Sequence, residues 1–527
     1  MTCDSDPVNR FPASITLMSR PPSSPSGPLP SGPPDPPVSP DVPDALDARQ
    51  IYESPLASRN ASRAMLEIWS PARKFTTWRR LWLALAEAQQ ELGLSIPANA
   101  IEQMRGHLRD IDHAAAADYE RRFRHDVMAH IHCFADAAPA ARPIIHLGAT
   151  SQFVNCNTEL ILIRDALQLV AGKLARTIDA LGEFAARHRA LPTLGLTHYQ
   201  PAQPTTVGKR AATWAHDLAL GLEEVEYRLA SLRFRGVKGT TGTQASFLAL
   251  FGGDTVEAHA KVEQLDRLVT EKMGWDSQRR FIVTGQTYPR LVDGLVISSL
   301  AAVAAAAAKF ATDLRLLAGR KELEEPSESD QVGSSAMPYK RNPMRSERIG
   351  GLSRFVIGLG SVPYITAAEQ WLERTLDDSS TRRLILPEPF LAIDGVLDLT
   401  VNVAGGIVVY EKMIRANLMA ELPFMATENL MMAAVKAGAD RQEVHELIRR
   451  HSKEAARRIK SEAAANDLIE RLQVEPVFAG IDLDSILDPS RYIGRAPHQV
   501  DAFIEKVVDP IRKRYPDRGE RRPELRV

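Results

Sequence analysis

Apolar residues recur at steps of three and four along most of the chain, the spacing that aligns one face of an α-helix. Within residues 205–232, Val207, Ala211, Trp214, Leu218, Leu222, Val225, Leu229 and Leu232 make one such stripe. It runs for about eight turns, long enough for a bundle core. Residues 290–319 predict a second long helix, apolar over most of its surface and therefore central among its neighbours. Residues 157–189 predict a third, with Asn157 and Thr158 as its expected caps. Beyond residue 405 the helical runs shorten to 428–437, 441–460 and 496–515. Three stretches rich in Pro, Gly or Thr predict irregular loops: 191–204, 236–244 and 325–343. Alternation long enough for a parallel sheet is missing, which argues against a dinucleotide-binding fold. The expectation is an all-α chain in three helical parts: 46–150, a long-helix bundle at 151–404, and 405–527.

Composition adjusts this picture at a few points. Hydrophobic residues make up 44% and aromatics only 6%, with Ala and Leu abundant, which favours helix packing over a sheet sandwich. The most apolar stretch, residues 294–308, is flanked by Asp293 and Lys309. It is shorter than the roughly 20 residues a membrane span needs, so it reads as a buried helix and no membrane partner is expected. Residues 1–45 are dense in Pro and Ser and read as a disordered tail without the apolar region of a signal peptide. Cys3, Cys133 and Cys156 form no CxxC pair, so the expected setting is reducing and cytoplasmic, with no zinc site. A net charge of -1 excludes nucleic-acid binding by bulk electrostatics. An anionic ligand would need a local cluster of cations.

Residues 333–348 offer such a cluster. Lys340, Arg341, Arg345 and Arg348 stand against the single acid Glu347, and Gly333 precedes the two serines Ser334 and Ser335. Such a turn can present backbone N–H groups to an anion and stabilise a serine oxygen as a base. A solvated basic loop before a helix accounts for the same residues equally well. His198, between prolines ahead of a long helix, is placed to donate a proton, though loop histidines are commonly structural. His125, His130 and His132 invite a metal reading, but their spacing is not HExxH, and no metal is expected. Around Gly208 and Gly236 the glycines fit neither a phosphate loop nor GxGxxG.

The stretch Ser334-Ser-Ala-Met-Pro-Tyr-Lys-Arg-Asn-Pro resembles the loop motif of the fumarase/aspartase superfamily, in its eukaryotic adenylosuccinate lyase form. Further segments resemble that family in the same order. They are Arg124-His-Asp-Val-Met-Ala-His, Ile145-His-Leu-Gly-Ala-Thr-Ser, Thr197-His-Tyr-Gln-Pro-Ala-Gln, Gly239-Thr-Thr-Gly-Thr-Gln, Thr284-Gly-Gln-Thr-Tyr and Trp371-Leu-Glu-Arg-Thr-Leu-Asp-Asp-Ser. The resemblance runs from about Tyr52 to near the C-terminus.

What the resemblance implies is a cofactor-free β-elimination of fumarate from adenylosuccinate and from the succinylated aminoimidazole carboxamide ribotide. It implies a homotetramer in which each site draws on several subunits. By motif, Ser334 is the base and His198 the acid, with Lys340 and Asn342 stabilising the developing carboxylate charge. Thr150, Ser151 and Gln286 position the succinyl group, Arg124, His125 and Asp126 line the pocket, and Thr197 and Met337 also bind substrate. Arg348, Arg374, Ser379 and Arg383 hold the nucleotide end. One position departs. Arg59 matches, but Asn60 stands where the family has a tyrosine, which predicts weaker nucleotide binding. Within the superfamily the alternative is another fumarate-releasing substrate such as argininosuccinate. A non-catalytic descendant would be expected to lack His198, Ser334 or Lys340, and all three are present.

Overall fold

The computed structural model describes residues 52–517 and Leu525, so the tail expected at residues 1–45 lies outside the described residues. Helix α1 (Pro71–Glu91) starts where its sequence provides a stop and a start together. Ser70 accepts the Arg73 N–H, and Pro71 occupies the first helical position, where a missing N–H costs nothing. Helix α2 (Asp126–Ala137) leads to α3 (Ser151–Arg187), whose 37 residues span about 55 Å at 1.5 Å per residue. Helices α4 (Val207–Ser231) and α8 (Pro387–Ala404) pack on α3, α5 (Leu291–Gly319) packs on α4 and α8, α6 (Met344–Gly358) packs on α5 and α8, and α7 (Asp378–Ile385) leads into α8 at the bundle end. The fold is all-α.

Inside the bundle the predicted stripe is the buried one: Val207, Ala211, Trp214, Leu218, Leu222 and Val225 are all shielded from solvent. Trp214 also donates its indole N–H to Asp313 on α5 at 2.7 Å, which fixes the register of the two helices. Helix α5 is long and apolar enough to cross a membrane by length and composition alone. In this fold Val296, Leu300, Val303, Phe310 and Leu314 pack into the core. Its opposite side carries Leu291, Leu295, Ala302, Ala305 and Leu316 exposed, so within one chain it is central on one side only.

Two local expectations are corrected. Asn157 and Thr158 do not cap a helix, because α3 begins six residues earlier, at Ser151. Asn157 is buried, and its amide donates to the carbonyls of Phe153 (2.9 Å) and Gly236 (3.1 Å) while accepting the Gly236 N–H (3.0 Å). A polar residue that resembles a cap is instead the internal anchor of the 236–244 loop. The expected loop at 191–204 is a hairpin, β1 (Pro192–Thr197) paired antiparallel with β2 (Gln200–Thr206). In a two-stranded ribbon both strands are edges, so Pro201 and Pro204 fit without breaking an interior ladder. A Cβ on Gly195 would lie 2.3 Å from the Gln203 carbonyl oxygen, so the bulge between Leu194 and Leu196 requires glycine there.

The 325–343 segment contains neither helix nor strand, as expected. Further on, a separate small core runs from Ala426 to Ile486 beneath helices α9 (Thr427–Lys436) and α10 (Arg441–Glu462). The final helical run from Ala496 returns to the large core through Val500, Val508 and Ile511. The large core therefore crosses residues 150 and 404 without a break in packing.

Candidate active site

A cavity of about 940 Å³ opens between the start of α3, the α2 entry and α7. It gathers Arg124, His125, Asp126, Ser151, Gln286, Arg374, Ser379 and Arg383. Arg124 adopts a left-handed conformation (φ 54°) and ends the preceding helix, so the chain turns and delivers His125 as the cap of α2. The His125 Nδ1 accepts the Met128 N–H, so the neutral ring carries its proton on Nε2, which lies 3.4 Å from Ser151 Oγ. Thr150 precedes α3 without capping it; its hydroxyl accepts from Gln286 Nε2 at 2.9 Å instead. The positive end of a 37-residue helix thus meets the cavity at Ser151.

The cavity wall is cationic. Lys74, Arg124, Arg290, Arg374, Arg382 and Arg383 face Glu120, Asp126 and Glu159, six positive groups against three negative. Beneath the surface a buried network sets the arginines. Asp378, shielded from solvent, accepts from Arg290 Nε at 2.7 Å and from Arg374 Nη1 at 2.8 and 2.9 Å. Asp293 accepts from Tyr288 (2.6 Å) and Arg382 Nε (2.7 Å), and Glu159 accepts from Arg382 Nη2 (2.7 Å). Burial disfavours charge on Arg382, but Asp293 and Glu159 outweigh it and hold the group firmly protonated. Burial likewise lowers the Lys74 pKa, an effect opposed by Asp126 and Glu159. Lys74, Glu159, Arg290 and Arg382 belong to no motif recognised in the sequence. Their one visible signal was isolated charge at apolar-helix positions, as at Arg290.

Asn60 and Arg348 meet directly. Arg348 donates through Nε (3.3 Å) and Nη2 (2.9 Å) to Asn60 Oδ1, and Nη2 also reaches the Arg59 carbonyl (2.7 Å). Burial, with Arg59 beside it, lowers the Arg348 pKa. These three residues border a second cavity of about 980 Å³ that Glu328, Gln331 and Arg345 also line.

Ser334 and Lys340 sit on the adjoining 333–342 turn. Ser334 Oγ accepts the Met337 N–H at 3.1 Å, and Met337 and Lys340 are exposed. The turn closes where Asn342 Nδ2 donates to the Gly333 carbonyl at 2.8 Å. A Cβ on Gly333 would stand 2.2 Å from the Lys340 carbonyl oxygen, so this closure depends on glycine. Within the basic cluster Arg345 stands apart: it is buried, and its Nη1 is bonded inward, to Asn402.

His198 and Tyr199 form the tip of the β1–β2 hairpin, with φ of 51° and 58°. Two successive left-handed residues match the twist of a tight hairpin, but Asn-Gly usually fills such a turn, so a His-Tyr pair is strained there. Thr197, His198 and Tyr199 are exposed. No lining residue of the 940 Å³ cavity comes from this hairpin or from the 325–343 segment. The site residues named from the sequence therefore fall into three groups: the cationic cavity, the 333–348 region with Arg59 and Asn60, and the hairpin tip. The three histidines 125, 130 and 132 part company as well. His125 faces the cavity, His130 stacks on Phe75 at 3.7 Å, and His132 packs against Tyr119 and Phe123.

Residues 73–358 match the family model described as Lyase, and residues 423–503 match Adenylosuccinate lyase C-terminus. The second match overlies the small core at 426–486. Adenylosuccinate lyase of Schizosaccharomyces pombe is 52% identical over 87% of this chain and 95% of its own length. The Saccharomyces cerevisiae protein is also 52% identical over 87% and 95%, and that of Schistosoma mansoni is 48% identical over 88% and 97%. Among solved structures, 3-carboxy-cis,cis-muconate lactonizing enzyme from Pseudomonas putida aligns with a TM-score of 0.74 at 25% identity, covering 88% of this chain and 99% of that one. A fumarate lyase from Mesorhizobium sp. BNC1 aligns with a TM-score of 0.71 at 23% identity, covering 86% of this chain and 100% of that one.

Proposed function

The chain belongs to the adenylosuccinate lyase family, and on that footing we propose which residues carry its reaction and how its site is completed. The reaction is the elimination of fumarate from adenylosuccinate, giving AMP, and from the succinylated aminoimidazole carboxamide ribotide, giving AICAR. Both substrates carry two carboxylates and a phosphate, which suits the cationic cavity.

Ser334 removes the Cβ proton of the succinyl group, leaving an aci-carboxylate carbanion. The C–N bond then breaks, its electron pair stays on nitrogen, and His198 supplies the proton. The proton count balances without a metal or organic cofactor. A serine works as a base only where its oxygen is stabilised as an anion, and the Met337 N–H already points at Ser334 Oγ. Lys340 and Asn342 stabilise the carboxylate charge, Asn342 through the second N–H of the amide that already donates to the Gly333 carbonyl. Arg374, Ser379 and Arg383 hold the phosphate end, with Arg59, Asn60 and Arg348 at the nucleotide.

One observation carries the shared-site reading: within a single chain the cationic cavity includes neither Ser334 nor His198. A homotetramer whose subunits each lend one group to a common site would complete it, and the exposed apolar side of α5 supplies a surface to bury. A cytoplasmic setting is part of this proposal, and the free thiols of Cys133 and Cys156 support it. Fumarate release tests the assignment: Ser334→Ala and His198→Ala should each lower turnover about 10²- to 10⁴-fold. When the two inactive variants exchange subunits, activity should return, because some mixed sites recover both groups. Exchange without recovery would refute the shared site.

A further inference from the structure

The segment bearing Ser334 and Lys340 is tied to the bundle by charges that the elimination steps do not use. Glu325 is buried, and its carboxylate accepts the N–H groups of Arg345 (3.0 Å) and Ser346 (2.9 Å) and the Ser346 hydroxyl (2.9 Å). It thereby closes the first turn of α6, where Pro343 makes no side-chain cap. Arg345 then points inward. Its Nη1 donates to Asn402 Oδ1 on α8 at 2.6 Å, and its Nη2 donates to Glu328 and, at 3.3 Å, to Gln331 Oε1. One guanidinium thus joins the packed bundle to residues 328–331, just ahead of Ser334.

The two ends of this link differ in character. The Arg345 side chain is 11% exposed, and Asn402 holds it from behind. The Glu328 side chain is 65% exposed and has only the loop backbone to follow. A planar five-donor fork suits such bridging, because it satisfies the core and the loop simultaneously.

We propose that Arg345 and Glu328 form a positioning latch that sets where the 333–342 turn, and with it Ser334 and Lys340, stands relative to α6 and α8. Both residues act through the turn and neither reacts. The proposal rests on Ser334 and Lys340 being the reacting groups. The rival role is ligand contact, since both residues line the 980 Å³ cavity beside Arg59 and Arg348. The two roles separate kinetically: a latch governs kcat, a ligand contact governs KM.

The test uses full-length Glu328→Gln, which removes charge at an exposed position and leaves the core untouched. Expected are a fall in kcat of about tenfold, KM within about twofold, and an unchanged Tm. Tryptic cleavage after Lys340 or Arg341 should quicken several-fold, a readout independent of activity. Glu328→Asp should recover part of kcat, and Arg345→Lys, which keeps charge but loses the fork, should repeat the kcat loss. Unchanged kcat and cleavage in Glu328→Gln overturn the latch, as does a rise in KM at constant kcat. Ser334→Ala is the control. Full activity there sinks the catalytic reading while the cleavage result stands alone; an inactive Ser334→Ala beside a normal Glu328→Gln sinks the latch only.

Discussion

Asn60 Oδ1 accepts two hydrogen bonds from one guanidinium, that of Arg348, while its amide N–H donates to the Pro55 carbonyl at 2.7 Å. The small amide that replaces an expected tyrosine is therefore the seat of a neighbouring cation. Asn60→Ala should remove two of the hydrogen bonds that seat Arg348, leaving the one to the Arg59 carbonyl, and raise KM for adenylosuccinate about tenfold, the scale of one charge-assisted hydrogen bond. Asn60→Tyr should change KM as well, by exchanging this seat for an aromatic ring. Steady-state assays of fumarate formation read both, and a KM unmoved in the two variants would remove Asn60 from the nucleotide end.

Gly333 faces the Lys340 carbonyl so closely that any Cβ forces the turn open. Gly333→Ala should lower kcat by at least an order of magnitude, given that small displacements of reacting groups cost about 10²-fold. Its Tm should stay near wild type, because the turn lies outside both hydrophobic cores. Kinetics and a thermal melt on one preparation decide it. A large Tm drop would mean the glycine serves the fold instead.

Asn157 is the sole side chain bonded to both the N–H and the carbonyl of Gly236 among the described residues. Asn157→Leu keeps the volume and strands two buried backbone groups, at about 1–3 kcal/mol each. Denaturant unfolding should show a loss on the order of 2–5 kcal/mol. A loss below 1 kcal/mol would show that water or a neighbour replaces the amide.

Burial pushes the His130 pKa down to about 4, with Arg79 and Lys74 adding to the effect. The folded value lies below the unfolded one of roughly 6.5, so the stability linked to the neutral ring is complete above pH 6.5. It is lost as the pH falls from there towards 4, by on the order of 3 kcal/mol. His130→Phe keeps the stack on Phe75 and removes the proton. Its unfolding free energy should lose less between pH 6.5 and 4.5 than wild type does. Parallel curves for the two proteins would assign the acid sensitivity elsewhere.

The long helices were legible because their apolar spacing repeats over many turns, so errors at the ends did not disturb the assignment of Trp214, Leu218 or Leu222 to the core. The hairpin was not legible. Prolines that break an interior strand are harmless in an isolated ribbon, and only pairing reveals which case holds. Asn157 misled in the same way, since a buried amide and a helix cap have the same local sequence. Arg345 looked like a ligand for an anion because its neighbours Lys340, Arg341 and Arg348 do; the sequence cannot tell which of four cations points inward. The resemblance named Arg124, His125, Ser151, Gln286, Arg374 and Arg383, and these line one cavity. Glu159 and Arg382 were missed because the network that places them links segments far apart in the chain, and Lys74 because only the fold brings it to the cavity.

The His198–Tyr199 turn bears on how inherited variation in this chain should be interpreted. Both residues hold left-handed backbone angles, and a β-branched side chain tolerates that geometry poorly. A change of Tyr199 to valine or isoleucine would therefore redirect the imidazole next to it, although residue 199 itself makes no bond to that ring. A change to glycine or asparagine would relieve the backbone and leave the ring's aim intact. Substitution severity at residue 199 should consequently follow backbone tolerance rather than chemical likeness to tyrosine, and a scoring scheme built on side-chain similarity would rank these alleles in the wrong order.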